Sequence, residues 1–372
     1  MERRRFLLGS AALAINGSLL GISNVLARPA PNVDKILRKT MTGSTQGIDA
    51  VAEIKKLQIP TGPYAGGFEI APNGKFNWYF ANLGLIAIIQ YLGPNDLSNY
   101  ILNYLNLYLR SLDPQGVVKD VEFPYGRSNT NAFNVVRSDS DDSYAATFLS
   151  LAVRYAKASQ NWTWWDANKA TLKAIAYRNI CAMQKSSGMT RTFQVTDTPY
   201  GALSYLMDNC EAYRGLRDFA SMLRDRGDLA DADYHDLCAS RIVAAISQTM
   251  YDTARGGFMT SDGDSQATTA FYAGTTCQIF PQAFGLSELS SYYDKGWSYL
   301  NKYTPKWEDG HYDPYPWAVL GFVAAKRGES ALAQAQMHSI ESTFASNPAL
   351  VTINELGFYQ RMKSILAGKP DV

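Results

Sequence analysis

The chain has 372 residues, 46% of them hydrophobic and 19% charged, so it is long enough for two average domains or one large one. Lysine and arginine (35) nearly balance aspartate and glutamate (34), and a formal net charge of +1 gives no electrostatic basis for binding nucleic acid or an acidic membrane. With only three histidines, neither a histidine-rich metal centre nor a Ser-His-Asp hydrolase is expected, and we predict no metal and no cofactor.

Three consecutive arginines occupy positions 3–5, followed by a weakly apolar stretch from Phe6 to Leu20 and by Val25-Leu26-Ala27, which has the small-residue pattern of a cleavage site. Paired arginines before Phe-Leu resemble the twin-arginine signal, which implies export of an already folded protein. A spanning helix needs about 20 predominantly apolar residues, and this stretch is shorter and more polar. We therefore predict an export signal over 1–27, no membrane anchor after its cleavage, and a periplasmic or secreted protein over 28–372.

Helical periodicity dominates the remainder of the chain. Leu97, Ile101, Leu105 and Tyr108 recur at spacings of three and four, which marks one apolar helix face, and similar spacing recurs over 144–155. Glycine and proline separate the helical stretches. The other predicted helices cover 33–42, 78–92, 166–185, 209–226, 230–251, 276–303 with a break near Gly285, 315–328, 330–346 and 354–367.

The connections between these helices alternate in length. Some are tight turns, as at Gly227-Asp228 and Gly328-Glu329, whereas others run for about 20 to 30 residues, over 113–140, 187–208 and 252–275. A closed ring of helical hairpins has this pattern, with tight turns on one face and long loops on the other. An open solenoid is the alternative, but no repeat of 30–50 residues is present.

We therefore predict an all-α fold, an (α/α)6 toroid that forms a single domain over 28–372. Short extended segments at 116–118 and 192–195 are expected to form small β elements within the long loops. No Cys-x-x-Cys pair occurs among the four cysteines, so buried free thiols are expected, with one disulfide as the alternative in an exported protein. The cysteines are Cys181, Cys210, Cys238 and Cys277.

The densest acidic cluster closes the first long loop and opens a strongly periodic helix. It contains Asp139, Asp141 and Asp142, followed by Tyr144. The free N–H groups and dipole of a helix N-terminus stabilise carboxylates in their charged form, which suits them as bases and as acceptors from sugar hydroxyls. The alternative is a helix cap with Ser138 or Asp139 as the N-cap residue.

The stretch from Asp139 through Asp141 to Tyr144-Ala145-Ala146 resembles an inner-helix motif of the six-hairpin glycosidases, particularly the family 8 glycoside hydrolases. The resemblance implies that Asp141 grips the sugar at the cleavage point and that hydrolysis inverts the anomeric carbon. It also implies a general-acid glutamate shortly before an earlier inner helix.

The positional candidate for that acid is Glu69, ahead of the helix that begins near Trp78. Phe68 and Ile70 provide apolar neighbours of the kind that raise a carboxyl pKa. In the family a glycine follows the glutamate directly, whereas here Ile70 follows and about eight residues precede the helix. A glutamate in a surface loop is the alternative.

Two further segments contain acidic and aromatic residues in positions that suit a sugar cleft. Asp208 and Glu211 follow a long loop, and either carboxylate suits activation of water, although their spacing also fits a helix cap with Asp208 as the N-cap. The stretch 307–317 offers aromatic faces for stacking and carboxylates for hydroxyl groups, although aromatic packing of the last hairpin explains it equally well. A third acidic segment, 261–264, is interpreted as a turn.

Together these features predict an exported, endo-acting and inverting glycoside hydrolase that uses two carboxyl groups on a polysaccharide or oligosaccharide. We expect a monomer that binds no nucleic acid. The predicted catalytic residues are Glu69, Asp141 and Glu211. The predicted substrate-binding residues are Asp139, Asp142, Tyr144, Trp78, Tyr200, Tyr205, Asp208, Trp307, Asp313 and Tyr315.

Three other functions remain open at this point. A toroid that binds polysaccharide without cleaving it would need no acid. A polysaccharide lyase would use one of the 23 tyrosines as base, with Arg137 near the aspartates. The Asp139-Ser140-Asp141-Asp142 sequence also matches the D-x-D-D signature of class II terpene cyclases, but the Gln-Trp repeats of those proteins are absent.

Overall fold

The computed structural model describes residues 47–195 and 199–372, and Ala50–Val372 form one compact unit. The predicted export signal, the first residues of the predicted toroid domain and the predicted helix over 33–42 lie outside the described residues. Within the described ranges, no helix is both long enough and apolar enough to cross a membrane.

Apart from the three-residue helix Pro94–Asp96, the α-helices of the described ranges form two layers of six. The inner layer comprises α2 (Trp78–Ile88), α4 (Asp142–Ser159), α6 (Leu206–Asp225), α8 (Phe280–Ala283), α10 (Val319–Lys326) and α12 (Ile353–Leu366). The outer layer comprises α1 (Ala50–Lys56), α3 (Asn103–Arg110), α5 (Trp162–Asn179), α7 (Leu229–Ala245), α9 (Tyr293–Tyr303) and α11 (Ser330–Ser346). π-Helical segments precede α3 (Leu97–Leu102) and follow α7 (Ile246–Met250).

The inner helices pack as a closed ring, each against the next: α2 on α4, α4 on α6, α6 on α8, α8 on α10, α10 on α12, and α12 back on α2. The outer helix α1 covers the contact between α12 and α2. The predicted all-α toroid is therefore confirmed.

Two glycines allow the ring helices to approach closely. A Cβ atom on Gly84 of α2 would lie 2.5 Å from Cγ1 of Ile353 on α12, and one on Gly215 of α6 would lie 2.5 Å from the backbone oxygen of Ala146 on α4. Both separations are too short for carbon in van der Waals contact, so a side chain at either position would push two inner helices apart.

The alternation of short and long connections is also confirmed. The tight turns after α6 and α10 contain Gly227 (φ 84°) and Gly328 (φ 77°), in the left-handed region that favours glycine. Because consecutive inner helices are separated by one outer helix, all six run in the same direction. The long loops therefore converge at the end of the ring where the inner helices begin, called the mouth, and the inner helices finish at the far end.

Several predicted boundaries shift for local reasons. Helix α5 begins at Trp162 rather than 166 because the Asn161 side chain accepts a hydrogen bond from the Trp164 backbone and caps the helix. The predicted helix over 276–303 consists of a 3-10 turn (Thr276–Ile279), α8, a second 3-10 segment (Ser287–Tyr292) and α9, separated at Gly285 as expected.

Within the described residues, the named strands form two short hairpins in the long loops. β1 (Asp120–Glu122) pairs with β2 (Asn134–Val136) in antiparallel register, and β3 (Tyr251–Asp252) pairs with β4 (Gly257–Phe258). The segments predicted to be extended at 116–118 and 192–195 are not strands. All four cysteines are buried and free.

Candidate active site

A cluster of hydrogen-bonded tyrosines and acidic groups joins three inner helices at the mouth. We call it the mouth cluster, and it consists of Asn77, Tyr79, Asp120, Tyr144 and Glu211. Asn77 caps α2 through its side-chain oxygen and donates from Nδ2 to Asp120 (2.7 Å) and to the Tyr144 hydroxyl (2.6 Å). The Tyr144 hydroxyl donates to Asp120 Oδ1 at 3.1 Å.

Tyr79 extends this cluster to α6. Its ring stacks on Tyr144, with centroids 6.0 Å apart and planes inclined by 23°. Its hydroxyl donates to Oε1 of Glu211 at 2.5 Å. Tyr144 and Glu211 are buried, whereas Tyr79 is half-buried, so Tyr79 is the one of these three side chains that solvent reaches.

Asp120 is fully buried inside the mouth cluster, although Lys75 Nζ lies 2.9 Å from its Oδ2. Burial raises the pKa of Asp120 to about 6, because desolvation outweighs the opposing charge of Lys75, and the nearby charge of Asp139 adds to the rise. Asp139 itself is half-buried, 3.5 Å from Asn77 Nδ2, with its backbone N–H directed at the Tyr144 hydroxyl (3.4 Å). Asp139 is therefore the solvent-facing carboxylate beside the mouth cluster.

The lining of the cavity within the ring shows which helix faces point inwards. Thr147, Ser150 and Arg154 of α4 line it, as do Glu211 and Arg214 of α6. Residues separated by three or four positions share a helix face. One turn towards the mouth, the same faces carry Ser143 on α4 and Asp208 on α6.

Asp141 occupies the N-cap position of α4, two residues before that inward-facing stripe, but its side chain does not cap the helix. Its Oδ2 accepts a hydrogen bond from the Gln194 backbone (2.9 Å), and its own N–H donates to the Thr192 carbonyl (2.8 Å). Burial raises the pKa of Asp141 to about 6, against the Gln194 hydrogen bond and the charge of Arg137. Asp141 thus holds the loop before α6, and the predicted N-cap at Ser138 or Asp139 is wrong.

Asp142 and Asp208 are both buried in the first turn of their helices. Asp142 accepts hydrogen bonds from the Thr190 hydroxyl (2.8 Å) and from the next backbone N–H in the chain. Helix α6 has Tyr205 as its N-cap residue, so the predicted N-cap role of Asp208 is wrong. Because the helix starts three residues earlier than predicted, Asp208 and Glu211 lie one turn apart on one face of α6.

Glu69 is fully buried in the loop between α1 and α2, so its interpretation as a surface-loop residue is wrong. Its Oε2 accepts from Arg127 Nε (2.7 Å) and from the Asn73 backbone (3.3 Å), while Oε1 has no hydrogen-bond partner among the described residues. Burial raises the pKa of Glu69, opposed by the hydrogen bond and charge of Arg127.

A buried glutamate that the sequence did not single out lies on α12. Glu355 Oε2 accepts from the Ala318 backbone (2.5 Å), and Oε1 accepts from Asn354 Nδ2 (3.3 Å). Burial raises its pKa to about 7, more than these hydrogen bonds lower it. In the sequence, Glu355 appears only as an acidic residue in the first turn of a predicted helix. Exposed acidic residues that complement the helix dipole occupy the same position, so the sequence does not distinguish a buried site residue from a surface residue.

Two tryptophans predicted to bind substrate are core residues. Trp78 is fully buried against Phe76 (ring centroids 4.1 Å apart) and donates from Nε1 to the Lys119 carbonyl. Trp307 is 1% exposed and donates from Nε1 to Asn301. Neither ring presents a face at the mouth, so stacking of these rings on a sugar is excluded in this structure.

Of the remaining predicted binding residues, the three tyrosines are half-buried or exposed, whereas Asp313 is buried. Tyr200 is 46% exposed and Tyr205 is half-buried. The Tyr315 hydroxyl accepts a hydrogen bond from Asn354 Nδ2 (3.2 Å), and the Tyr315 backbone donates to Asp313 (3.0 Å). Tyr315 and Asp313 therefore belong with Glu355, where α10 and α12 meet.

In its fold, the structure belongs with helical toroids of the kind that glycosidases use. No protein-family model and no curated protein matches the chain. Among solved structures, it is similar to a rhamnosidase from Klebsiella oxytoca with rhamnose bound (TM-score 0.57, 12% identity), over 82% of this chain and 56% of that one. This chain thus spans little more than half of the rhamnosidase.

A second similar protein is matched over nearly its whole length. It is a glycosidase solved as a point variant (TM-score 0.58, 14% identity), with 86% of this chain and 96% of that chain covered. Another variant of a glycosidase, in complex with glucose, is matched over the same shares with a TM-score of 0.56 and 14% identity. At these identities the likeness establishes the fold.

Proposed function

We propose that the protein is an exported glycoside hydrolase that cleaves a polysaccharide or oligosaccharide with two carboxyl groups. The observation that carries this proposal is the mouth cluster, which connects α2, α4 and α6 at the open end of a toroid whose fold is shared with solved glycosidases. Sugar hydroxyls and ring faces are matched by the carboxylates and tyrosines there.

Glycoside hydrolysis needs one carboxyl group that donates a proton to the leaving oxygen and another that activates water or attacks carbon. We assign proton donation to Glu211, which is buried, faces the ring interior and is oriented by the Tyr79 hydroxyl. We assign water activation to Asp139, because it is the half-buried carboxylate beside the mouth cluster and meets solvent. Glu69 and Asp141 then position loops around this pair.

The finer features of the proposal rest on the sequence. Endo-acting, inverting hydrolysis follows from the resemblance of Asp139–Ala146 to family 8 glycoside hydrolases. Export by the twin-arginine route follows from the arginines at 3–5 and the cleavage pattern at Val25-Leu26-Ala27. This location gives the protein access to large extracellular polysaccharides.

The decisive experiment incubates the protein with β-glucans, chitosan and acidic exopolysaccharides and follows reducing ends, with the product anomer read by NMR. Glu211→Gln and Asp139→Asn are each expected to lower kcat by about a hundredfold or more. Asp141→Asn is expected to retain most activity, and the exposed Glu329→Gln serves as the matched control. If Glu211→Gln kept full activity and Asp141→Asn lost activity, Glu211 would not be the proton donor. Asp141, which the family resemblance selects, would then be the catalytic residue.

The same experiment separates the two other functions. A lyase would release unsaturated products with a rise in ultraviolet absorbance, but burial and the charges of Asp120 and Asp139 raise the pKa of Tyr144 well above its ordinary value, which makes it a poor proton-abstracting base. A binding protein would give saturable oligosaccharide binding without turnover even at high protein concentration.

A further inference from the structure

The ring interior contains a second polar site towards the far end, away from the mouth. A cavity is lined there by four cationic side chains, each from a different inner helix. They are Arg154 of α4, Arg214 of α6, Lys326 of α10 and Arg361 of α12. We call it the far-end cavity.

Asp371, which lines the cavity, and Asp218 pair with these four cations. Asp218 lies 2.6 Å from Arg154 Nη1 and 2.9 Å from Arg214 Nε. Asp371, beyond the end of α12, accepts two hydrogen bonds of 2.8 Å from the Arg361 guanidinium. Glu211 also lines the cavity, so the four cations exceed the three side-chain carboxylates by one.

The cations of the far-end cavity are incompletely satisfied. Arg154 Nε is buried without a hydrogen-bond partner among the described residues. Lys326 Nζ lies 3.8 Å from Asp371, beyond hydrogen-bond distance, and its side chain is 29% exposed. Burial lowers the pKa of both Arg154 and Lys326, the direction expected when desolvation of a cation exceeds the attraction of nearby carboxylates. Added negative charge in the cavity would relieve this imbalance.

The negative ends of the inner helices account for some gathering of cations there. They do not account for the geometry around Asp371. Its two oxygens meet the guanidinium fork of Arg361 side by side, which is the arrangement arginine uses for carboxylate and phosphate oxygens. Asp371 therefore marks a place where an oxyanion fits.

We propose that the far-end cavity is a binding site for a small, doubly charged oxyanion of the phosphate or sulfate type. The oxyanion replaces the Asp371 carboxylate on Arg361 and Lys326, and it brings two charges where Asp371 brings one. Glu211 belongs both to the mouth cluster and to the lining of this cavity, but the proposal does not depend on the activity assigned at the mouth.

The test measures thermal unfolding of the full chain in phosphate, sulfate and chloride at matched ionic strength, with calorimetric titration of phosphate for the Kd. At ten times the Kd, phosphate is expected to raise Tm by about 2 °C above the chloride value. The same measurements with glucose 6-phosphate distinguish a site for free phosphate from a site that also accepts a phosphomonoester.

Three variants decide the location. Asp371→Asn removes the competing carboxylate and is expected to lower the Kd for phosphate about tenfold, whereas Arg361→Gln is expected to raise it by at least as much. If Arg361→Gln does not fold, Lys326→Met replaces it, and Arg224→Gln on the surface is the matched control. Equal Tm values in phosphate and chloride, or a phosphate effect unchanged in Arg361→Gln, would overturn the proposal and leave an ion-pair network only.

Discussion

Glu355→Gln should change how the stability of the toroid depends on pH. The pKa of Glu355 rises from 4.5 to about 7 on folding, because the side chain is buried. Between those values the unfolded chain loses the proton that the folded chain keeps. The resulting destabilisation is absent below about pH 4, grows through the interval, and is complete above pH 7.

The size of this effect follows from the change in pKa. Each tenfold change in a proton-binding constant corresponds to about 1.4 kcal/mol, so the full penalty is about 3 kcal/mol and the part that develops between pH 5 and pH 8 is about 2.5 kcal/mol. A glutamine at position 355 stays neutral throughout. The free energy of unfolding of the variant, relative to wild type, should therefore rise by about 2.5 kcal/mol from pH 5 to pH 8.

The assay is urea unfolding at both pH values, followed by the fluorescence of the seven tryptophans. Any cost of replacing the carboxyl oxygen that accepts from Ala318 is the same at both pH values and cancels in the comparison. Glu329→Gln, at an exposed glutamate, is the matched control and should show no such trend. A stability difference for Glu355→Gln that is equal at pH 5 and pH 8 would refute the reasoning.

Three further changes test other parts of the structure. Gly84→Ala should destabilise the protein by about 1–3 kcal/mol, seen as a lower Tm, because the new methyl group meets Ile353; an unchanged Tm would contradict the close approach of α2 and α12. Trp307→Ala should cost about 3–5 kcal/mol of stability and leave oligosaccharide affinity unchanged, since the ring lies in the core; a selective loss of affinity would contradict that placement. Tyr79→Phe should lower kcat about tenfold by removing the hydrogen bond to Glu211, whereas full activity would exclude Glu211 as the oriented acid.

The architecture was predictable because its signals are local. Apolar spacing of three and four marks each long helix, and glycines such as Gly227 and Gly328 mark the tight turns. Helix α8 was harder, since only four residues are α-helical and the flanking 3-10 turns weaken the period. Short β hairpins were expected in the loops, but their positions depend on pairing, as between Val121 and Val135.

The candidate site was less predictable because its members meet through the closed ring. Glu355 gains its environment from Ala318 at the N-cap of α10, and Asp120 gains its environment from Tyr144 on α4. Neither contact follows from the spacing of residues in the sequence. Helical periodicity also does not fix the direction of a side chain at an N-cap, so the expected contact between Asp141 and the sugar stays a prediction. Trp307 shows the same limit, because a tryptophan suits a core and a cleft equally well.

The closure of the ring also sets the order in which the chain can finish folding. The Ile353 backbone donates to the Ile70 carbonyl (2.7 Å), and Gly357 packs against Gly84, so the first and last inner helices are neighbours. During synthesis, the surface of α2 that α12 covers has no partner until Ile353–Leu366 leaves the ribosome. Contacts of such high sequence separation fold slowly, so a nascent chain carries this apolar groove uncovered for most of its synthesis, as a transient chaperone or aggregation site.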